Sequence, residues 1–416
     1  MTTNGFSGLD PCVHCGFCLQ ACPTYLATGD EADGPRGRIV LMRNLARRQL
    51  TPADDRLGYH IDRCLGCQAC ETVCPSGVSY APALEATREL LAEQRPIPLV
   101  SRALNRIMAE PPLRTPISWL VRRVRPVSRA FAGKSRVGFA FGMLAATHVR
   151  PRTTQVPATT GGGTGAPATD GVATIFVGCI MEGLFPHVHA ACARTLAAND
   201  YRIVATPNQS CCGALHAHAG QHEEAKRLAR NNVAAFAANP DVRIAVDSAG
   251  CGAMLKNYGR LLADDPLEQD AIAFAQRVSD VTELLAERGP KPGANMRMRV
   301  TYDPPCHLMH AQQVTEAPLA VLDAIPGMEK VAHAEAEMCC GSAGSYSLTE
   351  PHLSQVVLNR KIRSLEATSP ELVATGNPGC IMQIGAGLIA AGSKARVVHP
   401  VEILDWSYER AGYYAE

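Results

Sequence analysis

Between Cys12 and Cys74 one cysteine pattern is written twice. The first copy is Cys12-x-x-Cys15-x-x-Cys18-x-x-x-Cys22-Pro23, and the second is Cys64-x-x-Cys67-x-x-Cys70-x-x-x-Cys74-Pro75. Three thiolates at this spacing wrap one face of a cubane [4Fe–4S] cluster. The fourth, followed by proline, turns away and reaches the other cluster. The pattern assigns Cys12, Cys15, Cys18 and Cys74 to one cluster, and Cys64, Cys67, Cys70 and Cys22 to the other. Disulfides and zinc are the competing readings, but zinc sites take their ligands as two pairs, not as three plus a distant fourth.

The 416 residues suggest two or three domains. With 46% hydrophobic and 19% charged residues, the chain can bury a sizeable core. A net charge of +1 removes nucleic acid as a default partner. Met1 to Asp10 has neither a basic nor an apolar stretch of the secretory kind, so the 17 cysteines read as metal or redox sites in a cytoplasmic protein. No run approaches the ~18 apolar residues of a spanning helix. Val137 to Ala146 is apolar but too short, so any membrane contact is expected to be peripheral.

Between the cysteine runs, Gly34-Pro35 opens a helix. Arg36 and Arg38 there are either ordinary surface charge or partners of the negatively charged thiolate sites. Ala83 to Gln94 reads as a helix. Arg95 to Arg152 carries 12 Arg or Lys and one acid, Glu110, and its prolines are expected to break it into short helices and turns. It reads as a solvated basic surface covering the N-terminal domain, or as a docking face for an acidic partner or an anionic membrane leaflet. Pro151 to Gly171, rich in Gly and Thr, reads as a flexible linker.

The second half is an internal repeat. Cys179, Cys211-Cys212-Gly213 and Cys251 recur as Cys306, Cys339-Cys340-Gly341 and Cys380, displaced by 127, 128 and 129 residues. Each copy alternates short apolar strands with helices, which implies a mostly parallel sheet. Strands are expected at 173–177, 201–205, 242–246, 298–302 and 371–375. Cys179, Cys251, Cys306 and Cys380 follow strands, where sites in such sheets gather. The eight thiols suit further iron–sulfur clusters, and the glycine after each Cys-Cys lets the backbone come close to something bulky. Cys192 lies outside the pattern, on a helix, and reads as a buried hydrophobe. His216, His218, His307 and His310 follow motif cysteines; each would bond a sulfur, relay protons or, the preferred reading, organise local structure.

Two such runs followed by two Cys-Cys-Gly modules resemble the iron–sulfur subunits of flavin-linked dehydrogenases. Several stretches are similar to the bacterial glycolate oxidase iron–sulfur subunit family: Cys12-Val-His-Cys-Gly-Phe-Cys18, Asp33-Gly-Pro-Arg-Gly-Arg38, Glu71-Thr-Val-Cys-Pro-Ser-Gly77, Ser248-Ala-Gly-Cys-Gly-Ala253, Tyr258-Gly259 and Cys339-Cys-Gly-Ser-Ala-Gly-Ser-Tyr346. The resemblance implies an electron-transfer subunit without a substrate pocket. An FAD-containing dehydrogenase subunit would oxidise glycolate, and this chain would pass the electrons toward quinone at the membrane. Gly161 to Gly165 is glycine-rich but lies in the linker, without the strand and helix of a dinucleotide site. The resemblance also has a gap. Modules of the heterodisulfide reductase type end in Cys-x-x-Cys, whereas these end in Cys251-Gly-Ala-Met254 and Cys380-Ile-Met-Gln383.

The expected fold is α+β: a helical 2[4Fe–4S] ferredoxin-like domain (1–94), a basic helical segment (95–150), a linker (151–171), and two α/β Cys-Cys-Gly modules (172–290 and 291–416). The alternatives are the same role with lactate or another 2-hydroxy acid, thiol–disulfide catalysis at the modules, and a regulatory sensor of iron or redox state.

Overall fold

A computed structural model describes residues 5–147 and 171–414. The glycine-rich linker therefore lies outside the described residues, apart from Gly171.

Two parallel four-stranded sheets form the second half. The first holds β1 (Val172–Ile175), β2 (Arg202–Ile203), β3 (Arg243–Val246) and β4 (Val278–Asp280) in the order β2-β1-β3-β4. The second holds β5 (Arg299–Tyr302), β6 (Glu329–Lys330), β7 (Leu372–Ala374) and β8 (Arg396–Val398) in the order β6-β5-β7-β8. The registers correspond: Ala173 pairs with Arg243 in one sheet and Val300 with Leu372 in the other. The duplication is thus one of fold as well as of motif. All five expected strands form, and β4, β6 and β8 are additional.

The two modules share a core. Helix Pro186–Ala198 of the first packs on helix Pro400–Arg410 of the second, burying Val188, Leu196, Val401 and Leu404 together. A two-pronged ion pair pins this seam: Arg194 donates to both carboxylate oxygens of Asp405, at 2.9 and 2.7 Å. Such paired geometry offsets the cost of burying both charges.

The N-terminal domain is helical. Pro35 starts helix Pro35–Ala46 at a position where its missing N–H costs nothing. Leu9, Met42, Leu57, Ile61, Ala83 and Leu84 make a small separate core.

The basic segment departs from expectation twice. Its prolines fragment it only in part: helix Leu99–Ala109 ends just before Pro111, but one 18-residue helix, Pro111–Ser128, follows, and then helix Arg136–Ala146. Pro111 and Pro112 fall in the first turn, where N–H groups have no partner anyway, and the helix runs on through Pro116 and Pro126. It also covers the modules rather than the N-terminal domain. Asn105 Nδ2 donates to Gln221 Oε1 at 2.7 Å, and Arg114 donates to Glu182 at 2.6 Å. Helix Arg136–Ala146, the apolar stretch too short to span a membrane, packs on helix Pro378–Ala390. Small residues meet there: a Cβ added at Gly385 would lie 2.4 Å from that of Ala146.

Candidate metal centres

The two N-terminal cysteine runs enclose two cavities. One is lined by Cys12, Cys15, Cys18 and Cys74, with Pro75 and Tyr80. The other is lined by Cys22, Cys64, Cys67 and Cys70, with Pro23, Arg38 and Tyr80. Cys74 of the second run thus lines the cavity of the first, Cys22 of the first run lines that of the second, and Cys70 lies in the wall between them. Left-handed residues shape both loops at equivalent places: His14 and Gly16 in the first run, Gly66 and Gln68 in the second. Backbone bent this way forms a concavity that suits anionic groups such as iron–sulfur clusters. Accordingly, the Gly66 N–H points to Cys64 Sγ at 3.4 Å.

Arg38, one of the two arginines weighed from the sequence, is fully buried beside the second cavity. Its guanidinium donates to His60 O at 2.7 Å and Thr24 Oγ1 at 3.1 Å, and it lies 3.7 Å from the buried Asp33. Burial alone would make it easier to deprotonate, but its electrostatic interactions with Cys64, Tyr80, Cys22 and Asp33 outweigh that and hold it cationic. Conversely, burial pushes the Cys64 thiol up, while Arg38 and Arg88 outweigh it and hold the thiol below its ordinary range. Arg36 instead pairs locally with Glu31. Tyr80, whose OH lies 3.7 Å from Cys64 Sγ, and Arg88, which donates to Cys64 O at 2.6 Å, have no sequence signal of their own.

Each module gathers its own four cysteines. In the first, the Cys179 and Cys211 sulfurs are 3.4 Å apart, with Cys212 and Cys251 beside them. In the second, the Cys306 and Cys339 sulfurs are 3.9 Å apart and those of Cys340 and Cys380 3.3 Å apart. Each module thus gathers four soft thiol donors, the chemistry that an iron–sulfur cluster takes.

The glycines after the paired cysteines have a definite reason. Gly213 and Gly341 are left-handed, at φ +86° and +85°. A Cβ at Gly341 would lie 2.7 Å from Ser354 O, and one at Gly213 would lie 3.3 Å from Ala225 O. What approaches so closely is the backbone of helices His222–Phe236 and Pro351–Glu366, the second helix after each turn. Sequence reasoning missed three supports: Asn377, whose Nδ2 reaches Cys380 Sγ at 3.5 Å; Tyr258, whose OH donates to Cys212 O at 2.9 Å; and Asn232, which bonds Ser210 N and Cys211 O. Asn377 lies in Asn377-Pro-Gly-Cys380, three residues before a ligand candidate, which was the available clue. The positions lacking the last thiol are part of the packing: Met254 is buried near Phe176, and Gln383 donates to Ser354 Oγ at 2.9 Å. Cys192 is buried in the shared core, with Sγ 3.6 Å from Asp247.

The centres are not isolated from one another. Cys67 of the second N-terminal set packs with Leu65, Cys339, Tyr346, Leu353 and Val357, and Cys306 abuts this cluster. A π-helical turn, His307–Ala311, follows Cys306 and crosses to the N-terminal domain. His307 Nε2 meets Gly66 O at 3.1 Å and His310 Nδ1 meets Thr72 Oγ1 at 3.0 Å. His218 lines the second N-terminal cavity, its ring 5.7 Å from that of His307. These histidines join elements rather than bond sulfur. His216 is buried on the short helix Ala214–His218. The modules meet where Ala249 N donates to Gly376 O and Gly250 N to Asn377 Oδ1, both at 3.1 Å.

Known sequences agree with this partition. A family described as a 4Fe-4S dicluster domain matches residues 8–78, and a cysteine-rich domain matches 173–256 and again 300–385. The chain is 33% identical to the probable glycolate oxidase iron-sulfur subunit of Bacillus subtilis (strain 168), over 97% of this chain and 94% of that protein. It is also 33% identical to the glycolate oxidase iron-sulfur subunit of Escherichia coli (strain K12), over 97% and 95%. Lactate utilization protein A of Shouchella clausii (strain KSM-K16) is 30% identical over 56% of this chain and 98% of its own length.

Proposed function

This chain belongs to the family of glycolate oxidase iron–sulfur subunits, and we propose that it carries electrons from an FAD-containing glycolate dehydrogenase subunit toward quinone at the membrane. In this reading Cys12, Cys15, Cys18 and Cys74 hold one [4Fe–4S] cluster, Cys64, Cys67, Cys70 and Cys22 a second, and each Cys-Cys-Gly quartet a further cluster. When bound, such clusters supply one-electron carriers whose potentials follow local charge, hydrogen bonding and exposure.

The contact of Cys67 with Cys306 and Cys339 is the observation that carries this reading. A scaffold with independent sites has no need to seat a ligand of one centre in the wall of the next. Leu65, Tyr346, Leu353 and Val357 keep water out of that wall. Arg38 and Arg88 hold positive charge beside Cys64, which favours an added electron there. The Ala249–Asn377 seam joins the second module to the first, and we read the order of transfer as N-terminal domain, second module, first module. The substrate of the partner is glycolate in this reading; the likeness to lactate utilization protein A keeps lactate as the second candidate.

Cys340→Ser and Cys212→Ser, each in the assembled complex, test it. Both should cut quinone reduction at least tenfold while leaving the two ferredoxin-type EPR signals and dye reduction by the flavin subunit intact. Unchanged quinone reduction in both variants would make the modules structural. Loss of dye reduction with flavin still bound would refute the division of labour.

A further inference from the structure

Helix Pro111–Ser128 is built inside out. Toward the protein it buries Arg114, Ser118 and Ser128. Toward solvent it presents Leu113, Ile117, Leu120, Val124, Val127 and, one turn on, Phe131. The spacings are four, three, four, three and four, so these side chains form one continuous stripe along roughly 27 Å of helix. The exposures are high: 58% for Leu120, 56% for Val127 and 61% for Phe131. Trp119, one of two tryptophans in the chain, stands beside the stripe at 54% with Arg123 stacked on its ring at 4.5 Å. Ten of the nineteen exposed large hydrophobics among the described residues fall between Leu99 and Val137. A patch of this size on a folded protein marks an interaction surface.

The charge around the stripe selects the occupant. Arg123, Arg129, Lys134 and Arg136 are exposed along it. The segment's single acid, Glu110, already lies 3.8 Å from Arg106. A second copy of this chain would set these cations against their own equivalents. Among the described residues no helix is long and apolar enough to cross a membrane. A helix with an apolar stripe, an interfacial tryptophan and a cationic margin lies along an anionic bilayer. We propose that this face docks on anionic phospholipid, with the stripe in the headgroup–acyl boundary and the arginines on lipid phosphates. Its position gives the docking a purpose: Ala109, at the end of the preceding helix, packs on Cys179 and Cys211, and a Cβ at Gly183 would lie 2.7 Å from Ser118 Oγ. The quartet of the first module, last in the order proposed above, is thus brought to the bilayer, where a quinone dissolves. This second step rests on the electron-transfer reading; the docking itself does not.

The test is sedimentation of the cluster-loaded full chain with vesicles of phosphatidylcholine and phosphatidylglycerol (7:3), against phosphatidylcholine alone. The mixed vesicles should bind at least tenfold more protein, with a blue shift of Trp119 fluorescence that W119F abolishes. The bound fraction should fall at least tenfold in Leu120→Asp/Val124→Asp, and comparably in Arg123→Glu/Arg129→Glu. Circular dichroism and iron content, unchanged in both, exclude misfolding. Equal binding to both vesicle types, or undiminished binding of the folded Asp variant, overturns the proposal. So does a result in which wild type ignores vesicles while the Asp variant loses a protein partner of the complex, because the face then belongs to an acidic protein. Reduction of a water-soluble quinone by the assembled complex separates the two readings: it should persist in the Asp variant, and its absence in wild type would sink electron transfer while leaving docking standing.

Discussion

At the residue scale Arg38 is the most informative side chain. Sequence alone left it balanced between surface charge and a partner for thiolates, because a helical arginine in a Gly-Pro-Arg-Gly-Arg run carries no mark of burial. The fold decides it by closing helix Asp55–Asp62 over it and giving it His60 O as an acceptor. A buried cation next to Cys64 and Cys22 stabilises the reduced state, so its removal should lower the potential of that centre. For Arg38→Met we expect the ferredoxin-type signal of the Cys22/Cys64/Cys67/Cys70 set to drop by roughly 50–100 mV. This corresponds to the ~2 kcal/mol that a unit charge ~8 Å away is worth at an effective dielectric of ~20. The other ferredoxin-type signal should move much less, and Arg38→Lys should restore most of the shift. A potentiometric EPR titration resolves the two, and equal movement of both would mean that Arg38 acts only through folding. The cysteines themselves needed no such arbitration. Thiols at fixed spacing report their chemistry directly, whereas Tyr80, Arg88 and Asn377 act through orientation, which spacing does not encode.

At the scale of elements, legibility followed the strength of local signals. β1, β3, β5 and β7 were readable as apolar runs ending near cysteines, and β2 was found although it is two residues long. β6, Glu329–Lys330, is two charged, exposed residues, and no pattern identifies it; it exists because β5 offers it an edge. Counting prolines as breaks finds the start of helix Pro111–Ser128 but not its length: Pro111 and Pro112 sit where the first turn tolerates them, and the helix runs on through Pro116 and Pro126. The Cys-Cys-Gly turns read as constrained from sequence, but the close neighbour is the backbone of a helix farther along each module. That fixes the expected cost of altering them. Gly341→Ala would force a side chain into left-handed backbone, at about 1–2 kcal/mol, and would drive its Cβ against Ser354 O at 2.7 Å. Gly213→Ala meets the same backbone penalty with more room, 3.3 Å. Denaturant unfolding should therefore show Gly341→Ala losing at least ~2 kcal/mol, and more than Gly213→Ala. The reverse order would mean that the glycine is kept for the cluster and not for the helix.

At the scale of the whole molecule, the sequence announced two diclusters' worth of thiols without saying how they are joined. Parallel topology puts every strand-end thiol at the carboxyl edge of its own sheet. Two sheets, however, have two such edges. Each quartet stays within its module, and what connects them is side-chain contact of long sequence separation: Cys67 with Cys306 and Cys339, His307 with Gly66, Gly250 with Asn377. Such contacts have no periodicity to betray them. They do predict how the molecule responds to metal removal. The N-terminal core is small, and the Cys67 wall is the surface by which it leans on the second module. Four clusters of four irons would give about sixteen irons per chain on anaerobic purification, as four complete thiol quartets allow; about eight would confine clusters to the N-terminal runs. Because ligation energy becomes folding energy, chelation should expose both the N-terminal core and the Cys67 wall. Hydrogen exchange after iron removal should rise first in the loops 12–18 and 64–70, then in the π-helical turn 307–311, with β3 and β7 protected to the last. Protection of 307–311 that survived chelation unchanged would show the modules holding that turn alone, and the proposed contact between centres would lose its structural basis.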